Sequence, residues 1–252
     1  MLSVPLRDRE HKNIGVFQAL NSLQGGFDKH DIDLAILLCD YISSSLENSL
    51  LTNKIIESKT KLIYKLSVAA EFKDEDTSLH TKRVSYYSAI IGRAYGLSDE
   101  DVEMLMLLAP MHDIGKIGIS DALLHKPEKL SDEEFEEIRK HTLIGYNLLY
   151  DEDDEILQQA ALIARDHHER WDGNGYPGGV SGEDISINGR IVAIADVFDA
   201  LTSKRAYKKA WEMDDAFQLL KENSGTHFDP KLVELFLANL DKVEQVYWSY
   251  HD

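Results

Sequence analysis

The sequence has 252 residues, 43% of them hydrophobic, enough to bury an ordinary core in one large or two modest domains, which excludes a disordered chain. Its 45 acidic residues against 27 basic ones leave a net charge of −18, and such a surface repels long polyanions, so a duplex-DNA binder is excluded. The single cysteine, Cys39, has no disulfide partner, the start lacks a secretory signal, and the longest apolar runs, 34–39 and 104–111, fall far short of the roughly 20 residues of a membrane span; the expectation is a cytoplasmic protein.

In chain order, two strand-type runs, 3–6 and 14–20, flank a polar turn and predict a hairpin. A lone hairpin is marginally stable, so it must pack on the rest of the chain or on a partner. Residues 31–73 contain neither proline nor glycine, and Leu34, Leu38, Tyr41, Ile55, Leu62, Leu66 and Ala69 recur in steps of three and four with one gap. This predicts one long helix or two nearly continuous ones with a heptad-like seam, whose polar interruption at Ser45, Asn48 and Thr52 would set register; a parallel dimer stalk is favoured over a helix folded back on its own domain. From residue 74 the pattern is helical, with starts at Ser98, at Ser131 with Glu134, and at Asp229-Pro230. The exception is 169–188, where Asp172-Gly173-Asn174-Gly175-Tyr176-Pro177-Gly178-Gly179 must be a loop. It follows His167-His168 directly, which argues for function.

The histidines and a few carboxylates carry the chemistry. His112-Asp113-Ile114-Gly115-Lys116 closes an apolar helical run. An aspartate can bridge two cations through its two oxygens, whereas an imidazole gives one nitrogen to one ion. Lys116, a turn beyond on the same side, implies an anion between it and any cations. Alone, this His-Asp pair reads more readily as a capped helix end with a solvated lysine. His80 stands four residues after Asp76, His141 lies on the helix after Ser131, His167-His168 form a second adjacent pair, and Asp196 sits in an otherwise apolar helix, where a carboxylate needs a partner or a metal. Together they supply donors for two ions sharing Asp113, of a kind suited to iron, manganese, cobalt or zinc.

With these residues in place, His112-Asp113 and its outlying ligands resemble the HD superfamily of metal-dependent phosphohydrolases. His167-His168-Glu169, Gly175-Tyr176-Pro177 and the run from Ala195 to Ser203 are similar to its HD-GYP branch, in order from about residue 74 to 236. The fold this implies is mainly α: an all-helical HD-type bundle (74–252) preceded by a long linker or dimerisation helix (31–73) and a small N-terminal β-hairpin (1–30). The hairpin and the helix through Leu46-Glu47-Asn48 resemble the end of a GAF sensory domain.

The activity the resemblance implies is metal-dependent hydrolysis of cyclic di-GMP to linear pGpG or on to GMP. It carries metal ligation onto His80, His112, Asp113, His141, His167, His168 and Asp196, with two divalent ions, iron or manganese; phosphate contact onto Lys116; and substrate contact onto Tyr176, Arg205 and Lys208. Asp113 and Lys116 are thereby the expected catalytic pair. Asp76 stands where members with a third metal carry glutamate, one methylene longer, and leaves the ion count at two or three. Ser186 and Ala206 replace usual prolines, and Asn188-Gly189-Arg190 is expected to loosen the helix start before Asp196. Expected partners are cyclic di-GMP, a second copy through the long helix, and cyclic di-GMP synthases docked at the Gly-Tyr-Pro region. Two rivals stand beside this reading: a cyclic di-GMP receptor that binds without cutting, and an HD phosphohydrolase for another nucleotide.

Overall fold

The computed structural model describes residues 1–22, 25–71, 73, 78–203 and 210–250. Asp76, Arg205, Ala206 and Lys208, singled out by sequence, lie outside the described residues. The chain divides into two compact units, Met1–Lys61 and Leu62–Asp252.

In the first unit, β1 (Leu2–Arg7) pairs antiparallel with β2 (Asn13–Ala19), Leu2 opposite Ala19 and Leu6 opposite Gly15. The Asp8 carboxylate closes the turn by accepting from the Glu10 and Lys12 amides at 3.0 and 2.8 Å. The hairpin finds its partner within the chain: Val4 and Leu6 bury against Ala35 and Cys39, with Leu2, Ile14, Phe17 and Ile42 around them. Those helical residues belong to α1 (Lys29–Glu71), one continuous helix as its lack of breakers predicts. Asp28 and Asp31 cap its start reciprocally, each accepting from the other's amide at 3.0 and 2.8 Å. The seam residues remain uncovered, with Tyr41 75% and Ile55 59% exposed.

In the second unit, α2 (Ser78–Tyr95) packs against α3 (Asp99–Leu108) and α8 (Ile187–Thr202), and also against α10 (Pro230–Leu237) and α11 (Leu240–Ser249). Between them run α4 (Asp121–Leu124), α5 (Asp132–Arg139), α6 (His141–Leu149), α7 (Glu155–Asp166) and α9 (Met213–Glu222). The core is apolar and aromatic: Phe198 meets Tyr87, Phe217 and Phe236 at ring separations of 5.2, 5.0 and 5.1 Å. The helix starts at Ser98, Ser131 and Asp229 are capped as expected, Ser131 with Glu134 in a reciprocal box. No helix among the described residues is long and apolar enough to cross a membrane.

Three local expectations change. His112-Asp113 does not end an α-helix: α3 stops at Leu108, and the pair sits between two 3-10 turns, Ala109–Met111 and Ile114–Gly118. Pro110 has no amide to give to Met106, and the Ser85 hydroxyl donates to that carbonyl instead, at 2.8 Å. His141 does not share the helix begun at Ser131, which ends at Arg139; it opens the next one. The helix start before Asp196 is not loosened at Asn188-Gly189-Arg190: α8 runs from Ile187 through them, and Ser186 caps it by accepting from the Gly189 amide at 3.2 Å, while its own amide donates to Asp166 at 3.1 Å.

The turn carrying Asp113 lies directly against α6. A Cβ on Gly115 would stand 1.9 Å from the His141 carbonyl oxygen and 2.5 Å from the Gly145 nitrogen, both main chain, so only glycine permits the approach. Gly115→Ala is expected to cost about 1–3 kcal/mol of folding stability, the usual range for overpacking. A thermal melt equal to the native one would remove this close approach as a constraint.

Candidate metal centre

Five helical neighbourhoods send donors to one place. His80 comes from the first turn of α2, His112 and Asp113 from between the 3-10 turns, His141 from the start of α6, His167 and His168 from the end of α7, and Asp196 from the middle of α8. They form two groups, each with its ligand atoms within 4.8 Å of one another: Asp113, His141, His167 and His168, and His80, His112 and Asp196. Asp113 faces both. Its Oδ1 lies 3.2 Å from His141 Nε2 and 3.7 Å from His167 Nε2, while its Oδ2 lies 3.3 Å from His112 Nε2. Asp196 Oδ1 stands 3.7 Å from both His80 Nε2 and His112 Nε2. Lys116 reaches back one turn and sets its Nζ 2.7 Å from Asp113 Oδ2.

The outer ring nitrogens decide what the inner ones present. His112 Nδ1 lies 2.9 Å from the Ala109 carbonyl, His141 Nδ1 2.7 Å from that of Ile138, and His167 Nδ1 3.0 Å from that of Ala164. A carbonyl can only accept, so each Nδ1 carries the proton and each Nε2 turns a lone pair inward. His141 Nε2 and His167 Nε2 are then two acceptors 3.4 Å apart, with a carboxylate oxygen beside them. That arrangement repels unless a cation stands between, and imidazole with carboxylate suits a divalent transition metal better than magnesium or calcium. The residues present therefore fit a pair of such ions.

Electrostatics point the same way. Burial alone would push the Asp113 carboxyl up, but the Lys116 ammonium beside it holds the group well below the usual carboxylate range. Burial lowers His167 and drives His168 well below its ordinary value, which keeps both imidazoles neutral as ligation requires.

Tyr176 stacks on His168 with ring centres 4.7 Å apart, and the Arg139 guanidinium lies over the Tyr176 ring, 4.9 Å from its centre. Burial, then the Asp113 charge, raise the phenol, so it stays protonated and able to donate. The loop around it is held by Glu169, buried beside the histidine pair, whose Oε1 accepts from the Gly178 amide at 2.6 Å. Gly175 is obligatory there, since a Cβ would stand 2.4 Å from the Arg170 nitrogen. Trp171 anchors the loop instead of facing a ligand: Arg190 of α8 covers its ring at 5.7 Å, and its amide donates to the His227 carbonyl at 3.1 Å.

All seven expected ligands thus converge, with Lys116 and Tyr176 next to them, while Asp76, Arg205 and Lys208 fall outside the described residues. Sequence reading passed over Arg83 and gave no role to Glu169 or Asp199, which it met only inside longer motifs. Asp199 Oδ2 lies 2.7 Å from His80 Nδ1, and Arg83 and Asp199 are both buried. The available signal was spacing: Arg83 follows His80 by three residues and Asp199 follows Asp196 by three, each within one helix turn.

The HD domain family profile matches residues 51–232. The chain belongs to the HD domain family. It is 43% identical over 204 residues to the cyclic di-GMP phosphodiesterase response regulator RpfG of Xanthomonas campestris, covering 80% of this chain and 54% of that protein. It is 41% identical over 201 residues to 3'3'-cGAMP-specific phosphodiesterase 2 of Vibrio cholerae, covering 80% of this chain and 38% of the relative. The HD domain chain therefore spans about half, or less, of the length of these relatives. Among solved structures, a cyclic GMP-AMP specific phosphodiesterase of V. cholerae (V-cGAP3) shares the fold, with a TM-score of 0.56 at 20% identity, over 74% of this chain and 50% of that one.

One flanking group gives the HD domain a pH signature. Burial, then the Arg170 charge, lower His227 from 6.5 to about 4, with Asp172 opposing. Between those values the unfolded chain binds a proton that the folded chain refuses, so stability is complete above pH 6.5 and falls as pH drops toward 4. His227→Gln is expected to flatten that decline in urea midpoints of metal-free protein. An undiminished decline in the variant would clear His227 as its source.

Proposed function

We propose that this chain is a metal-dependent phosphodiesterase that hydrolyses cyclic di-GMP to linear pGpG or on to GMP. The observation that carries the reading is Asp113, whose Oδ1 faces one donor group and Oδ2 the other, with Lys116 against Oδ2. The relatives add the substrate class, since those compared act, by name, on cyclic dinucleotides.

His141, His167 and His168 would hold one ion and His80, His112 and Asp196 the other, with Asp113 shared; iron or manganese is the proposed metal. When bound, such ions supply Lewis acidity and an acidified water. The chain's residues do the rest. Lys116 balances charge on the non-bridging phosphoryl oxygens as attack proceeds. Tyr176, protonated, stacked on His168 and in contact with Arg139, donates to a phosphate or supports a guanine. Arg205 and Lys208 are proposed as further phosphate contacts, and Asp76 as a ligand should a third ion bind.

We assign the hairpin, 1–30, to part of a GAF-like sensory domain, α1 to a linker or dimerisation helix between 31 and 73, and catalysis to 74–252, in the cytoplasm. The exposed seam of α1 supports a homodimer, and the Gly-Tyr-Pro loop is the proposed docking face for cyclic di-GMP synthases. Sedimentation at micromolar concentration is expected to return a dimer; a clean monomer would remove the stalk.

The 41% identity to a cGAMP-specific enzyme favours 3'3'-cGAMP as a second substrate. Anaerobic incubation with Mn(II) or Fe(II) and a panel of cyclic di-GMP, 3'3'-cGAMP and guanosine tetraphosphate is expected to give cleavage of the first. Asp113→Ala should lose both bound metal and turnover, to background. Binding of cyclic di-GMP by the loaded native chain with no product after overnight incubation would turn the reading to a receptor.

A further inference from the structure

The two donor groups are backed differently. His141, His167 and His112 rest their outer nitrogens on main-chain carbonyls. His80 alone of these four rests on a side chain, Asp199, with Nδ1 2.7 Å from Oδ2. That carboxylate is in turn gripped by Arg83, whose Nε donates to Oδ1 at 2.5 Å and Nη2 to Oδ2 at 3.0 Å, a two-pronged pair. The remaining donors of Arg83 are also placed: Nη2 lies 2.7 Å from Ser203 Oγ and Nη1 2.9 Å from the Tyr250 carbonyl. Arg83 is 4% exposed and Asp199 is 0% exposed.

Burying an ion pair is expensive and seldom adds net stability, so a fold gains little from this pair for its own sake. Orienting an imidazole does not require it either, because a carbonyl does that for three neighbours. What a carboxylate adds is basicity at the opposite ring nitrogen, and what the arginine adds is a fixed carboxylate. The spacing matches this division. His80 and Arg83 lie three apart on α2, Asp196 and Asp199 three apart on α8, so the two helices bring His80 to Asp196 in front and Arg83 to Asp199 behind.

We infer that Arg83 and Asp199 are positioning residues that set the ion affinity of the His80, His112 and Asp196 group and leave the His141, His167 and His168 group unaffected. The inference rests on the two-ion reading above, and one experiment separates the two. Free Mn(II) is followed by electron paramagnetic resonance as the metal is titrated into the full, metal-free chain. The native protein is expected to take up two ions. Arg83→Lys keeps the charge but not the fork, and should weaken one ion by about 10–100-fold while the other binds as in the native chain. The double variant Arg83→Met with Asp199→Asn removes both buried charges, so neither is left unpaired, and should show the same selective loss. Two ions bound at native affinity in both variants, or equal weakening of both ions, would overturn the inference. Uptake of fewer than two ions by the native chain would instead overturn the two-ion reading.

Discussion

The second unit is organised around an electrostatic contradiction that a cation resolves. Nitrogens with inward lone pairs, His141 Nε2 and His167 Nε2, stand 3.4 Å apart beside a carboxylate oxygen. Nothing in a protein interior pushes like-signed acceptors together for stability; the surrounding chain must hold them there. It does so by spending main-chain carbonyls at Ala109, Ile138 and Ala164 on the outer nitrogens. Ile138 and Ala164 stand in the last turns of α5 and α7, and Ala109 opens the 3-10 turn before His112, whose amide it also accepts at 3.2 Å. The breaks in the helices after Leu108 and Arg139 lie beside the ligands they serve: His112 follows the first and His141 the second.

The same logic explains which parts of the site were legible in sequence. The ligands were readable because their residue types are unusual where they stand: adjacent His-Asp and His-His pairs, and a carboxylate at Asp196 amid apolar neighbours. The long helix was readable from the absence of breakers, and the hairpin from its alternation. The break between Arg139 and His141 was not, because nothing in Arg139-Lys140-His141 disfavours a helix; tertiary packing of α6 on the turn at Gly115 forces it. The part Ser186 plays at the start of α8 was hidden for a related reason. Its value lies in a cap and in a bond from its amide to Asp166, a residue 20 positions away.

The supporting residues were hidden by ordinariness. An arginine, an aspartate and a glutamate are the commonest of surface residues, and Arg83, Asp199 and Glu169 differ from that only by being buried. Glu169 ties the Tyr176 loop to the histidine pair through the Gly178 amide, and Asp199 ties α8 to His80. Each support sits within three residues of a ligand, so one short segment supplies both the donor and its brace.

This proximity bears on the net charge of −18. A uniformly acidic chain would repel any phosphate-bearing ligand, and would gain only from cations placed at the contact itself. Here the acidity divides by burial. Runs such as Asp151, Glu152 and Asp153 are exposed and screened within about 8 Å at physiological salt. Asp113, by contrast, is 7% exposed and faces Lys116, and Asp199 faces Arg83. These two buried carboxylates are matched to local positive charge, while the exposed ones are too well solvated to reach the site. The local sign at the centre is thus set by a handful of groups within one turn of the ligands, and the bulk charge of the surface governs solubility and the exclusion of long polyanions.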